Sequence, residues 1–191
     1  MGERRRGADL ERAILDAAWS ELSARGYSGL TMEAVAERAG TSRPVLARRW
    51  DGKAPLTVAA IRQEIAKYPM NVPDRGDLRT ELLEFLEQAS KRAIGIAAVF
   101  TLFSSEYFAE AASVPNDLRA AVVQGNGTML PAILDRAVQR GDIAREKLVP
   151  PVDALLGTLF REYVVMNFSA PPPDLRTAWV DRIFLPLVRA S

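Results

Sequence analysis

The 191-residue chain contains no cysteine and no histidine. Without cysteine there is no disulfide framework, no thiolate nucleophile and no cysteine-ligated zinc; without histidine the commonest general base and the commonest metal ligand are both missing. Serine–histidine and cysteine–histidine catalysis are thereby excluded. Charge of neither sign dominates, since 25 Lys/Arg stand against 24 Asp/Glu, and a net +1 argues against a protein that coats nucleic acid indiscriminately. Long apolar runs are also lacking. The longest nearly uncharged stretch, Ala93 to Phe103, is about half a membrane span, and the N-terminus carries no apolar signal segment. A cytoplasmic protein with no membrane partner is expected. No Asp/Glu constellation has metal-binding spacing and no paired acids stand out within an apolar stretch, so catalytic residues, metal and cofactor are all expected to be none, and the chain is read as not an enzyme.

What is present is helical periodicity, with no strand-like alternation anywhere. The expected fold is all-α, divided into a flexible basic arm at 1–8, a three-helix head at 9–53 and a larger helical bundle at 54–191. Leu10, Ala13, Ile14, Ala17, Ala18 and Leu22 form one stripe of a first helix from Asp9 to Arg25, closed by Gly26 with Tyr27 folding back. Thr31 is placed to cap a second helix, Met32 to Arg38, which stops at Gly40. A third begins at Ser42 or Arg43, uses Pro44 in its first turn and ends near Trp50. Proline-bearing punctuation then separates helices at Ala54–Lys67, Leu78–Tyr107 with a possible break at Gly95, Asn116–Arg140, Val152–Phe168 and Asp174–Val188.

Ala36, Gly40 and Leu46 have the spacing A-x3-G-x5-L, and each answers a demand of a helix-turn-helix. Only a small side chain fits at Ala36 where two helices cross, Gly40 permits a turn with positive φ, and Leu46 faces back onto Val35 and Ile14. Arg43, Pro44, Val45, Ala47, Arg48 and Arg49 then face outward. A short exposed helix with three arginines and few acidic neighbours before Asp51 suits the major groove, because arginine grips guanine or a phosphate bidentately. The same pattern also fits an ordinary solvated face.

The wider run of Ile14, Leu15, Ala17, Ala18, Leu22, Gly26 and Tyr27, then Leu30, Thr31, Val35, Ala36, Ala39, Gly40, Thr41 and Ser42, then Leu46, Trp50, Lys53 and Leu56 resembles the N-terminal domain of the TetR family of transcriptional repressors. The resemblance implies phosphate contacts from Thr31 and Lys53 and a recognition helix spanning Arg43 to Arg49, with Ser42 at its start. It also implies a homodimer, a double-stranded operator, and a small organic effector held in the larger domain. One departure is Ala47, where the family usually has an aromatic, most often Tyr; Arg48 and Arg49 stand ready to replace its affinity. A helical ligand-binding or scaffolding protein with a degenerate head is the alternative that Ala47 leaves open. Arg4, Arg5 and Arg6 form an arm suited to the minor groove or, equally, a solvated tail.

For dimerisation the last two helices are favoured, through Ala154, Leu155, Gly157, Thr158, Phe160 and Arg161 against Leu175, Ala178, Trp179, Arg182 and Ile183. For the effector, Phe100, Phe103, Tyr107 and Phe108 cluster in sequence, with Met129, Tyr163 and Met166 as partners and Glu106, Gln124, Asn126 and Asn167 as polar groups. Such residues at helical spacing are equally the stuff of ordinary core.

Overall fold

The computed structural model describes residues 7–103 and 129–189, with 99–103 described as backbone alone. Among these residues the fold is all-α, with a single isolated bridge between Ile143 and Arg189 as its only extended pairing. Helix α1 covers Ala8–Gly29, α2 Met32–Arg38, α3 Arg43–Ala47, α4 Lys53–Ala66, α5 Leu78–Lys91, α6 Ala93–Phe103, and α7 Met129–Arg140. Short 3-10 turns at Arg145–Lys147 and Val152–Ala154 lead into α8, Leu155–Asn167. Helix α9, Pro173–Ala178, passes through a π-helical stretch, Trp179–Phe184, into α10, Leu185–Val188. Two compact units result: one holds 7–67 and 98–103, the other 68–97 and 129–189.

In the first unit Ile14, Ala17, Ala18 and Leu22 of the expected stripe are buried while Leu10 and Ala13 are half-buried, and Val35, Leu46, Leu56 and Ile61 are fully enclosed beside them. Gly26 has φ 67° and interrupts the end of α1, which lets Tyr27 turn inward to 3% exposure. Helix α4 packs along α1 with Leu56, Ala60, Ile61 and Ile65. The N-terminal segment of the first unit therefore runs to Lys67 and includes α4, which the expected division after Lys53 assigns to the bundle. Glu21, buried on α1, binds Arg38 at 2.7 Å and Arg25 at 3.3 Å, tying α2 to α1.

The second unit is built on α5, whose buried face of Leu78, Leu82, Phe85, Leu86 and Ala89 is the expected one. The helix breaks at Arg92, three residues before Gly95, where the break was expected. Arg92 is buried, and its Nε donates to the Tyr68 carbonyl at 2.5 Å; Gly95 lies inside α6. Arg176 reaches back to α5, donating to Ser90 Oγ at 2.9 Å and pairing with Glu87 at 2.6 Å. Arg79 grips Asp181 through two bonds of 2.7 and 2.9 Å.

Residues 68–77, part of the proline-bearing punctuation between helices, run as a fixed strap. Gln88 bonds both the N–H and the carbonyl of Asn71, at 2.7 and 2.8 Å. Val72 is buried, and its carbonyl accepts from Arg136 at 3.1 Å. Arg75 clasps Glu84 with two donors, at 3.0 and 3.2 Å. At the centre lies Glu81, wholly buried, which takes Arg136 at 2.8 Å, Arg140 at 3.0 Å and the Arg75 backbone N–H at 3.1 Å. Arg140 also reaches Asp74 at 2.7 Å. A buried carboxylate is tolerated only when its lone pairs are met by donors, opposite charges among them, and Glu81 has two guanidiniums and a backbone N–H.

Candidate nucleic-acid interface and effector cavity

Thr31 is the N-cap of α2, its hydroxyl accepting from the Ala34 N–H at 3.1 Å. At the other end Gly40 adopts φ 67° and the Thr41 N–H returns to the Ala36 carbonyl at 2.9 Å. That sharp reversal delivers Ser42 as the N-cap of α3, with Pro44 in the first turn. Helix α3 is shorter than expected, ending at Ala47, although Arg49 and Trp50 still send their N–H groups to the Leu46 carbonyl at 2.9 Å. Leu46 is fully buried and Ala36 is 3% exposed, so Ala36, Gly40 and Leu46 play the structural parts assigned to them.

The outward face follows from that anchoring. Ser42, Arg43, Pro44, Ala47, Arg48 and Arg49 are exposed, and Val45 is half-buried. Thr31 is also exposed, and Lys53, at the start of α4, places its ammonium 4.5 Å from the centre of the Tyr27 ring. A cation over an aromatic face is held without losing its charge. The expectation of few acidic neighbours needs correction, because it counted neighbours along the chain. Glu33 of α2 pairs with Arg43 at 2.8 Å, and Glu11 of α1 pairs with Arg49 at 2.9 Å. Arg48 has no carboxylate partner among the described residues. The Arg4 to Arg6 arm lies outside them.

The second unit contains a cavity of about 390 Å³. Phe85 and Ala89 of α5, Ile96 of α6, Leu130 and Leu134 of α7, and Gly157 and Phe160 of α8 form its apolar walls. Asp135, Arg145, Asp153 and Arg161 bring charge to the lining, and Asp135 and Arg145 pair at 3.1 Å. Of the expected effector residues, those with described side chains, Met129, Tyr163, Met166 and Asn167, are not among its lining residues. Phe100, Phe103, Glu106, Tyr107, Phe108, Gln124 and Asn126 fall outside the described side chains. Met129 is half-buried at the start of α7. Tyr163 packs edge-on against Trp179 with ring centres 6.1 Å apart. Met166 is 73% exposed, and Asn167 donates to the Tyr163 carbonyl at 2.9 Å. The physical reason is helical phase: Met166 lies about 140° around α8 from Arg161. Gly157, a glycine among large apolar residues, was the available signal for a hollow at this level of the helix.

The expected dimer face is likewise divided. Phe160 and Trp179 are buried within the chain's own core, while Ala154, Gly157 and Arg161 line the cavity. Ile183, Leu187 and Met166 remain as exposed apolar side chains at 39%, 48% and 73%. Among the described residues no group of acids could hold a metal ion, and no helix is long and apolar enough to cross a membrane.

Comparison with known proteins agrees with this geometry. Residues 14–60 match the profile of bacterial regulatory proteins of the tetR family, and residues 72–183 match that of the tetracyclin repressor-like C-terminal domain. An uncharacterized HTH-type transcriptional regulator of Mycobacterium tuberculosis is 30% identical over 175 residues, covering 89% of this chain and 83% of the relative. The DNA-binding transcriptional repressor TetR of Mycobacteroides abscessus is 27% identical over 155 residues, covering 79% of this chain and 82% of that protein. In structure, the flavonoid-responsive regulator FrrA superposes with a TM-score of 0.64 at 18% identity, covering 96% of this chain and 98% of its own. A TetR family transcription regulator from Marinobacter aquaeolei gives 0.61 at 22% identity, covering 96% and 97%. The chain belongs to the TetR family of bacterial transcriptional regulators, with a helix-turn-helix DNA-binding domain at its N-terminus.

Proposed function

We propose that the protein is a homodimeric repressor that binds a pseudo-palindromic operator and is released from it by a small organic ligand. The observation that carries the reading is the exposed, arginine-bearing face of α3, anchored from behind by the fully buried Leu46. Ser42, Arg43, Pro44, Val45, Ala47, Arg48 and Arg49 present that face to the major groove, with Thr31 and Lys53 at flanking phosphates. Exposed Met166, Ile183 and Leu187 on the last helices support self-association through this region. A two-fold dimer would then set the half-site spacing of the operator.

The ligand enters the α5–α8 cavity, whose apolar walls with a few charged groups have the character of an organic-ligand site. A coupling of roughly 1–3 kcal/mol would weaken operator binding about 5–150-fold, and DNA would weaken ligand binding by the same factor. The test is retarded migration of the protein's own upstream DNA in a gel, together with solution mass. A shift abolished by Arg48→Ala with Arg49→Ala, given by a dimer that Leu187→Glu dissociates, is the expected result. A strict monomer at micromolar concentration, or a shift indifferent to both arginines, would sink the proposal.

A further inference from the structure

Two of the three outward arginines are held by carboxylates from other helices. Arg43 binds Glu33 through Nε at 2.8 Å, and Arg49 binds Glu11 through Nη1 at 2.9 Å. Both pairs are substantially exposed: the side chains of Arg43 and Glu33 are 66% and 64% accessible, those of Arg49 and Glu11 34% and 51%. Ion pairs this wet contribute little to folding, so their consequence falls on whatever the arginines meet. A guanidinium carries five donors. One tethered through Nε or a single Nη keeps the others, and the tether limits the directions in which they point.

We propose that Glu11 and Glu33 are positioning residues for DNA specificity, biasing the orientation of Arg49 and Arg43 and opposing their use as free cations on arbitrary duplex. The inference rests on the reading that the α3 arginines contact DNA. Its logic is a difference between two kinds of site. On random sequence an arginine gains from any phosphate it can reach, and each such contact releases counterions. A carboxylate within 3 Å competes for the guanidinium and adds a negative charge beside the polyanion. On the operator an oriented guanidinium can meet a base edge bidentately, which is sensitive to angle as well as to charge. The acids therefore penalise indiscriminate binding more than operator binding. Arg48, which lacks such a partner among the described residues, supplies the untethered attraction.

The experiment measures affinity of the full-length protein for a 30-base-pair random-sequence duplex, and for an operator obtained by selection with the wild-type protein, across a salt series. Glu11→Gln and Glu33→Gln, singly and together, are compared with wild type and with Glu37→Gln, which removes the same charge as either single variant from an exposed site on α2. The double variant should bind random duplex about 3–10-fold more tightly, with a salt slope steeper by about one for each arginine released. Its operator-to-random ratio should fall, while its melting temperature stays at the wild-type value. Glu37→Gln should produce a smaller rise and no change in slope. An unchanged ratio and slope, or single-variant effects equal to that of Glu37→Gln, overturn the proposal. Arg43→Ala with Arg49→Ala separates the two levels: if it weakens operator binding while the glutamine variants are silent, only the positioning role is lost. If it too is silent, the DNA-contact reading of these arginines falls with it.

Discussion

Replacing Glu81 by glutamine tests whether the strap and the second unit are one cooperative structure. Glu81 is wholly buried and accepts from Arg136, Arg140 and the Arg75 backbone at 2.8, 3.0 and 3.1 Å. Hydrogen bonds to a charged group contribute about 1.5–3 kcal/mol each, so three give a gross of roughly 4–9 kcal/mol, against which several kcal/mol of carboxylate desolvation must be set. Arg136 and Arg140 keep 26% and 21% of their side-chain surface accessible, which softens the penalty for leaving them unpaired. The net loss expected for Glu81→Gln is about 2–4 kcal/mol, or about 4–16 °C in melting temperature for a domain of this size. Urea denaturation measures the free energy, and limited trypsin digestion reports the strap directly, since Arg75 should become cleavable. A double-mutant cycle with Arg136→Met should show strong coupling. A loss below 1 kcal/mol with Arg75 still protected would refute the reasoning.

At the turn of the head, Gly40→Ala meets no steric obstacle, as nothing lies within 4 Å of an added Cβ, but φ 67° disfavours a side chain; a loss of about 1–2 kcal/mol by thermal denaturation is expected. Gly157→Ala should do the reverse. Among the described residues its Cβ would find only Leu130, at 3.9 Å, so relief of helix entropy should stabilise by about 0.5–1 kcal/mol. Asp77 caps α5, and the Thr80 hydroxyl and N–H, at 2.5 and 2.8 Å, hold its carboxyl below the ordinary range. Asp77→Ala should therefore destabilise by about 1 kcal/mol near neutrality. Because the folded value is depressed, this contribution is complete above the unfolded carboxylate pKa of about 3.9 and is lost as pH falls through the folded one. Wild-type and variant stabilities should converge in acid; a constant gap would deny the cap its charge.

The head was legible in sequence because its determinants are local. Ala36, Gly40 and Leu46 lie within eleven residues, and the stripe ending at Leu22 needs only helical periodicity to be seen. What was hidden depended on residues far apart. Glu11 and Arg49 are 38 positions apart and Arg136 and Glu81 are 55, so no window reading brings them together. The strap illustrates the same limit, since proline and glycine between Tyr68 and Asp77 say only that a helix stops there, and the partners on α5 and α7 lie far along the chain. The cavity was missed for another reason. Its walls, including Phe85 and Leu134, are ordinary core by composition, and only the absence of a side chain at Gly157 distinguishes the level at which they leave space.

The strap also determines how this protein can be recombined with its relatives. A head exchanged at Lys53 would sever α4 from α1, against which Leu56, Ile61 and Ile65 are packed. An exchange within 68–77 would carry a foreign segment to Gln88, Arg136 and Arg140, whose donors are committed to Asn71, Val72 and Asp74. The serviceable N-terminal seam for hybrid regulators is the peptide bond between Lys67 and Tyr68, with the ten residues beyond it inherited from the parent of the second unit and residues 98–103, which belong to the first unit, matched to the parent of the head.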